Sequence, residues 1–406
     1  MKNQPVVGIV AEYNPFHNGH SYQISQIKKK CGDAYIIVCM SGSFLQRGEA
    51  ALADKWLRAE IAVKNGADLI LELPAAYACR SSEIFAQGAV QTLCATGILT
   101  HLAFGCETNE PNVLAALAQK NFFSAELKTH LKAGLSYGAA WEKVLKCQSS
   151  KATNLLRKPN NILALAYYQA LALLATPPLA LPIQRKGNAF NSTEITDTLA
   201  SATAIRQELL LNGFSTKVQK TVPKATSLLL KNLVSKRCLG ISEERLNLIL
   251  NYTLSKLTPA TIARFADTSE GLENKILQSA PNESFEAAVN KIKSKRYPAS
   301  RIRRLLWQLL ISTEEVPFTT TSKLSPAYLR ILAFNTRGRT ILKVLKNTCT
   351  LPILNKLGKN IFIQYQSPNF SSLLKTDIAA TNLYDLLQNN SYFNRDYTHS
   401  PIYIEF

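Results

Sequence analysis

Residues 6–20 read VVGIVAEYNPFHNGH, and the fold turns on how this stretch is read. Its first half is an apolar, β-branched run that suits a buried strand. Pro15 sets the chain direction into a turn. His17-Asn18-Gly19-His20 then opens an amphipathic stretch, expected to be helical from His20 to about Lys30. Two of the chain's five histidines stand three positions apart here. A helix start presents free N–H groups and the positive end of a dipole, so it attracts phosphate. Both imidazoles can face one anion there, and Gly19 removes a side chain where the anion would approach the backbone. Two plainer readings stand beside this one. The pair can be ordinary histidines at a helix start, or metal ligands, although no His or Cys cluster accompanies them.

Working outward, the first half of the chain alternates strand and helix signals. AYIIVCMS (34–41), DLILELP (68–74), HLAFGCE (101–107) and LALPIQRKG (179–187) are further apolar runs. Helical spacing separates them at 49–66, 81–95 and 159–175. Short apolar runs alternating with helices predict a parallel sheet covered on both faces. Ligands of such sheets sit at the carboxyl ends of the strands. Near residue 199 the pattern changes. Residues 201–213 read as a helix opening on Ser201 or Thr203, and the segments 223–240, 242–257, 283–297 and 299–312 are all helical by spacing. The expected fold is α/β: a Rossmann-like parallel-sheet domain over 1–214, a helical domain over 215–315 and a mixed, partly helical region over 316–406.

Composition narrows the class. With 406 residues, 46% hydrophobic and 8% aromatic, the chain can bury a sizeable core. Its start lacks the charged, apolar and small-residue segments of a secretory signal. The most apolar stretch, 162–183, is interrupted by Gln169 and Pro177-Pro178, so a buried helix followed by a strand fits it better than a membrane span. Eight scattered cysteines contain no C-x-x-C pair, which argues against a zinc ribbon or disulfide framework. A soluble, cytoplasmic protein is expected. Forty-seven Lys and Arg against 28 Asp and Glu leave a net charge of +19, which favours a polyanionic partner, nucleic acid first.

The His17-x-Gly19-His20 pattern resembles the H-x-G-H signature of the nucleotidylyltransferase superfamily. Residues 200–206, ASATAIR, resemble the S-x-T-x-x-R segment that closes such sites, although Ser201 and Thr203 also serve as plain helix caps. MSGSFLQRGEAALADKW (40–56), GADLILELP (66–74), FGCE (104–107), KPNNILALAYYQAL (158–171) and PIQRKG (182–187) extend the likeness. Together with GIVAEYNPFHNGH they resemble the tRNA(Met) cytidine acetate ligase family, in order from about residue 5 to 212 and more weakly through SKRY (294–297).

That resemblance implies ATP-dependent activation of acetate as acetyl-adenylate. Transfer to the exocyclic amine of the wobble cytidine of elongator tRNA(Met) would follow, giving N4-acetylcytidine. It implies an ATP site formed by Val7, Gly8, Ile9, Val10, Ala11, Glu12, Tyr13, Asn14, Pro15, Phe16, His17, Asn18, Gly19 and His20. His17 and His20 would act on the phosphates as the catalytic pair. Gly105, Asn160, Asn161, Arg185, Ser201, Thr203 and Arg206 would complete the site. Acetate and ATP are both anionic, so the reaction needs charge neutralisation and in-line placement more than acid–base help. His17, His20, Arg185 and Arg206 are the expected positive groups. Mg²⁺ would arrive with the ATP, since no carboxylate cluster stands ready to hold it. Gln46 to Gly48 either hold acetate or the cytidine or simply form a turn. The sequence departs from the family at Ser43 (usually Asn), at Cys106 (often Ser) and in GNAFNS (187–192), where a histidine is missing.

Lys291, Lys293, Lys295, Arg296, Arg301, Arg303 and Arg304 follow one another with no acid between them. They are the expected phosphate contacts for tRNA, with Tyr297 as a stacking platform for an unpaired base. A solvated helix face is the plainer alternative. Two other functions compete: a nucleotidylyltransferase acting on a small molecule, and a non-catalytic RNA-binding protein on the same fold.

Overall fold

The computed structural model describes residues 4–119, 125–133, 135, 137–146, 155, 158–185, 195, 197–268, 271–311, 318, 325–388 and 392–405. The opening stretch forms strand β1 (Val6–Ala11) and helix α1 (Asn18–Cys31). The other four expected strands follow as β2 (Tyr35–Ser41), β3 (Leu69–Leu73), β4 (His101–Cys106) and β5 (Leu179–Gln184). All five run parallel, in the order β5-β4-β1-β2-β3. The two directions of winding part between β4 and β1, and a crevice opens there beyond the strand carboxyl ends. β2 and β3 are buried along their whole length, as apolar runs covered on both faces should be.

The region after 316 supplies strands that the periodicity does not announce. β6 (Leu329–Asn335) pairs antiparallel with β3, and β7 (Ile353–Leu354) and β8 (Ile402–Ile404) pair with the start and end of β6. Among the described residues the sheet therefore has eight strands, drawn from both ends of the chain.

The predicted helix over 49–66 is shorter than its spacing suggests. Asp54 caps it, accepting from Leu57 N–H at 2.9 Å, and α2 spans Lys55–Lys64. Residues 46–53 are a loop instead. A buried ionic knot ties α2 to the C-terminal region. Lys55, fully buried, donates to both oxygens of Glu72 on β3, to Asp396 and to Thr381, at 2.8–2.9 Å. Arg330 on β6 reaches the same Asp396, and Arg395 bridges Asp54 and Asp385.

The helices Glu243–Lys256, Phe285–Ile292 and Ala299–Ile311 pack into a second core. Phe44, Leu45 and Ala51 from the loops beyond β2 join it, as does Tyr384 from the helix Pro368–Leu387. The helical part is thereby seated on the carboxyl edge of the sheet. No described helix is long and apolar enough to cross a membrane.

Candidate active site

A cavity of about 170 Å³ lies at the carboxyl ends of β1 and β4. Of the residues expected at an ATP site, it gathers Val10, Ala11, Glu12, Tyr13, Asn14, His17, His20, Gly105, Asn160, Arg185, Thr203 and Arg206. Val7, Gly8 and Ile9 are buried within β1 and do not line it. Pro15 and Phe16 face a small void on the other side, against Leu52 and Arg58. The Asn18 side chain donates to Thr198 and Lys220 carbonyls at 3.0 and 2.9 Å, joining α1 to the 198–221 segment. Ser201 is the N-cap of the helix Ala202–Asn212, its hydroxyl accepting from Ala204 N–H at 3.0 Å. Fully buried Asn161 accepts from Glu107 N–H at 2.8 Å and donates to Leu155 O at 3.0 Å, holding the turn after β4. The stretch 187–192 lies outside the described residues.

The two histidines form a capping box. His17, the N-cap of α1, accepts from Gly19 N–H at Nδ1 (3.0 Å), and His20 Nδ1 accepts from His17 N–H (3.2 Å). The rings stack with centroids 3.8 Å apart. Since Nδ1 is an acceptor in both, each neutral ring carries its proton on Nε2. A Cβ on Gly19 would stand 2.8 Å from His17 Cε1, so glycine is needed here to seat an imidazole.

The expectation that these histidines bring positive charge is corrected. Burial first, then the guanidiniums of Arg185 and Arg206, push His17 down to about 3. Burial, His17 and Arg185 push His20 well below its usual range. Both are neutral N–H donors in a field made by arginines. Tyr13 supports them from an uncommon backbone, with φ at +47° and its ring packed against Phe16 and edge-on to His20.

The arginines reach the cavity from three directions. Arg185 follows β5 and lies over Gly105, where a Cβ would come within 3.2 Å of Arg185 Cγ. Arg206 donates to Asn14 O at 2.9 Å and to Glu49 at 2.6 Å, clamping the turn of residues 12–17 to the loop after β2. Arg47, on that loop, also lines the cavity. Glu12 accepts from Gln46 N–H at 2.8 Å, and burial raises its pKa.

Sequence reasoning did not place Gln23, Phe85, Phe104, Leu163, Tyr167 or Ala202 in the lining. Helical spacing over 49–66 puts Glu49 in a helix, whereas it stands in the loop ahead of the Asp54 cap and lines the cavity. Among the described residues no three His, Cys, Asp or Glu side chains gather as a metal cage.

The basic stretch divides in space. Lys291, Lys293, Lys295 and Arg296 are exposed, with Lys291 paired to Glu283 and Lys293 bonded to Asn290. Arg301 donates to Asp267 O at 2.8 Å, and Arg303 forms a two-pronged pair with Glu286. Arg304 is buried beside Asp267 and carries a structural load. Tyr297 is corrected too: it is 7% exposed and sits in the helical core, so its ring offers no open stacking face. The helix predicted over 283–297 ends at Ile292, and Tyr297 closes a turn in which its carbonyl accepts from Ser294 N–H at 3.0 Å, which linear spacing does not reveal.

A parallel sheet with a histidine-capped helix at its winding switch, and arginines converging on it, defines a nucleotidyl transferase site. The family model described as HIGH Nucleotidyl Transferase matches residues 4–399. Within that class, this chain belongs to the tRNA(Met) cytidine acetate ligase family. The protein of that name from Clostridium kluyveri is 36% identical over 414 residues, spanning 98% of this chain and 99% of the relative. The one from Alkaliphilus metalliredigens is 36% identical over 422 residues, spanning 98% of each. The crystal structure of Thermotoga maritima TmcAL bound with alpha-thio ATP superposes with a TM-score of 0.87 at 28% identity, covering 99% of this chain and all of the other. Its apo form gives 0.89 at 29% identity with the same coverage.

Proposed function

We propose that this protein is an ATP-dependent acetate ligase acting on the wobble cytidine of elongator tRNA(Met). A carboxylate oxygen of acetate attacks the α-phosphorus, and pyrophosphate leaves with the electrons of the broken P–O bond. The cytidine exocyclic nitrogen then attacks the acetyl carbonyl carbon. AMP leaves with the C–O bonding pair, and one N–H proton passes to water. Arg185, Arg206 and Arg47 neutralise the two anions, and His17 and His20 donate Nε2–H bonds to phosphate oxygens. The observation that carries this reading is the reciprocal Nδ1 capping, which fixes both rings as Nε2–H donors beside three guanidiniums. Mg²⁺ would arrive with the ATP and help neutralise the phosphate charge.

Residues 1–214 carry adenylate formation, 215–315 contact the tRNA, and 316–406 brace the sheet edge. The exposed Lys291, Lys293, Lys295 and Arg296 are the phosphate contacts. The enzyme works in the cytoplasm, where its tRNA substrate is. Incubation with ATP, labelled acetate and total tRNA tests the function. Label should enter RNA nucleosides as N4-acetylcytidine. Adenylate appearing on a metabolite, with no label in RNA, would favour a small-molecule nucleotidylyltransferase. Labelling that survives His20→Ala at full rate would sink the phosphate role of that ring.

A further inference from the structure

A second cavity, of about 340 Å³, adjoins the first and shares Gln46, Arg47, Glu49, Asn160 and Leu163 with it. Its far wall is the helix Ala299–Ile311, through Ser300, Arg303 and Arg304. The loop between the two cavities is held from both sides. On the sheet side Gln46 N–H donates to Glu12, and Glu49 takes Arg206. On the helix side Trp307 Nε1–H donates to Gly48 O at 3.1 Å. Gly48 has φ at +75°, and a Cβ there would stand 2.5 Å from Arg304 N, so loop and helix backbones touch.

We propose that this second cavity is the slot that receives the acceptor pyrimidine, with the loop 46–49 as the partition across which its amine meets the activated acetyl group. The inference rests on the ligase reading above. Its chemistry matches a flipped base. Pro159, Ile162 and Leu163 supply an apolar side for the ring face, while Ser300, Gln46 and Asn160 line its edge, the two amides being oriented by their bonds to Arg80 O and Glu107. Arg303, held by Glu286 on the outer surface, stands at the wall where the flanking phosphates of an extruded nucleotide would pass. The slot also joins the two halves of the reaction in space. The adenylate half lies among the sheet carboxyl ends, and the exposed cations of residues 291–296 immediately precede the helix that walls the slot.

Filling the slot from its far side separates the two steps. Ser300→Trp and Ile162→Trp place an indole there, and neither residue lines the first cavity. Both variants should keep acetate-dependent ATP–pyrophosphate exchange within about twofold. Acetyl transfer at saturating tRNA should fall about 100-fold, as misplacement of a reacting group predicts. Ser300→Ala, which leaves the slot open, should lose no more than about tenfold in transfer. Transfer at the wild-type rate in both tryptophan variants would overturn the slot. So would loss of exchange in step with transfer in variants whose thermal midpoints match wild type. If the wild-type protein itself gave no acetate-dependent exchange, the ligase reading would fall and the slot with it.

Discussion

Replacing His17 by asparagine separates what the ring does for the helix from what it does for the nucleotide. In the protein, Nδ1 of His17 takes the Gly19 N–H at 3.0 Å, and the ring stacks on His20. Asparagine Oδ1 stands the same number of bonds from Cβ as Nδ1, and asparagine is among the best N-caps, so the cap survives. What disappears is the Nε2–H. Losing one preorganised donor at a site of developing charge costs about 10²–10³ in rate. His17→Asn should therefore lower acetate-dependent ATP–pyrophosphate exchange by that factor and shift unfolding stability by no more than ~1 kcal/mol. His17→Ala removes donor and cap together. It should show the same kinetic loss plus ~0.5–2 kcal/mol of destabilisation. Exchange kinetics and urea unfolding on the three proteins decide the matter. Full-rate exchange by His17→Asn would refute the donor role. A rate loss appearing only in His17→Ala, together with its stability loss, would mean that the histidine merely caps α1.

Lys55→Met leaves Glu72 and Asp396 buried without their shared ammonium, so urea unfolding should report a loss of ~3–5 kcal/mol; a loss below 1 kcal/mol would show that the knot does not hold the C-terminal strands. His17 has its folded-state pKa depressed to about 3, so the stability it contributes is complete above an unfolded-state value of about 6.5 and is lost as pH falls from there toward 3. Between those limits wild type should lose up to about 1.4 kcal/mol per pH unit more than His17→Asn, and parallel stability–pH curves would contradict the buried neutral ring. Lys295→Glu combined with Arg296→Glu should weaken tRNA binding and flatten its salt dependence while sparing pyrophosphate exchange; equal loss of both activities would argue against a division of labour between the two halves. Gly105→Ala places a methyl 3.2 Å from Arg185 Cγ and should raise the KM for ATP, whereas an unchanged KM would remove Arg185 from the nucleotide.

The strands β1 to β5 are legible in the sequence, as is helix α1, expected from His20 and found from Asn18, because each rests on local chemistry. Apolar runs of strand length alternate with helical spacing, and a turn with Pro15 and Gly19 joins two of them. His17 and His20 are readable from that helix start, whereas Gly105, near the end of β4, Arg185 and Arg206 were named through the resemblance to the ligase family. Tertiary structure alone decided the rest, because the partners are hundreds of residues apart. β6 pairs with β3 across some 260 residues of chain, with Phe334 opposite Leu69, and no periodicity in either segment records that partner. Tyr297 and Arg304 look like surface groups in a basic run, but the turn after Ile292 and the helix Ala299–Ile311 bury them. Charge state was also a tertiary property: His17 and His20 read as cations until burial and the neighbouring guanidiniums made them neutral donors. The sequence by itself determined where the histidine-capped turn between β1 and α1 stands. The partition at residues 46–49, with a cavity on either side, exists only because the sheet and the distant helix close on one loop.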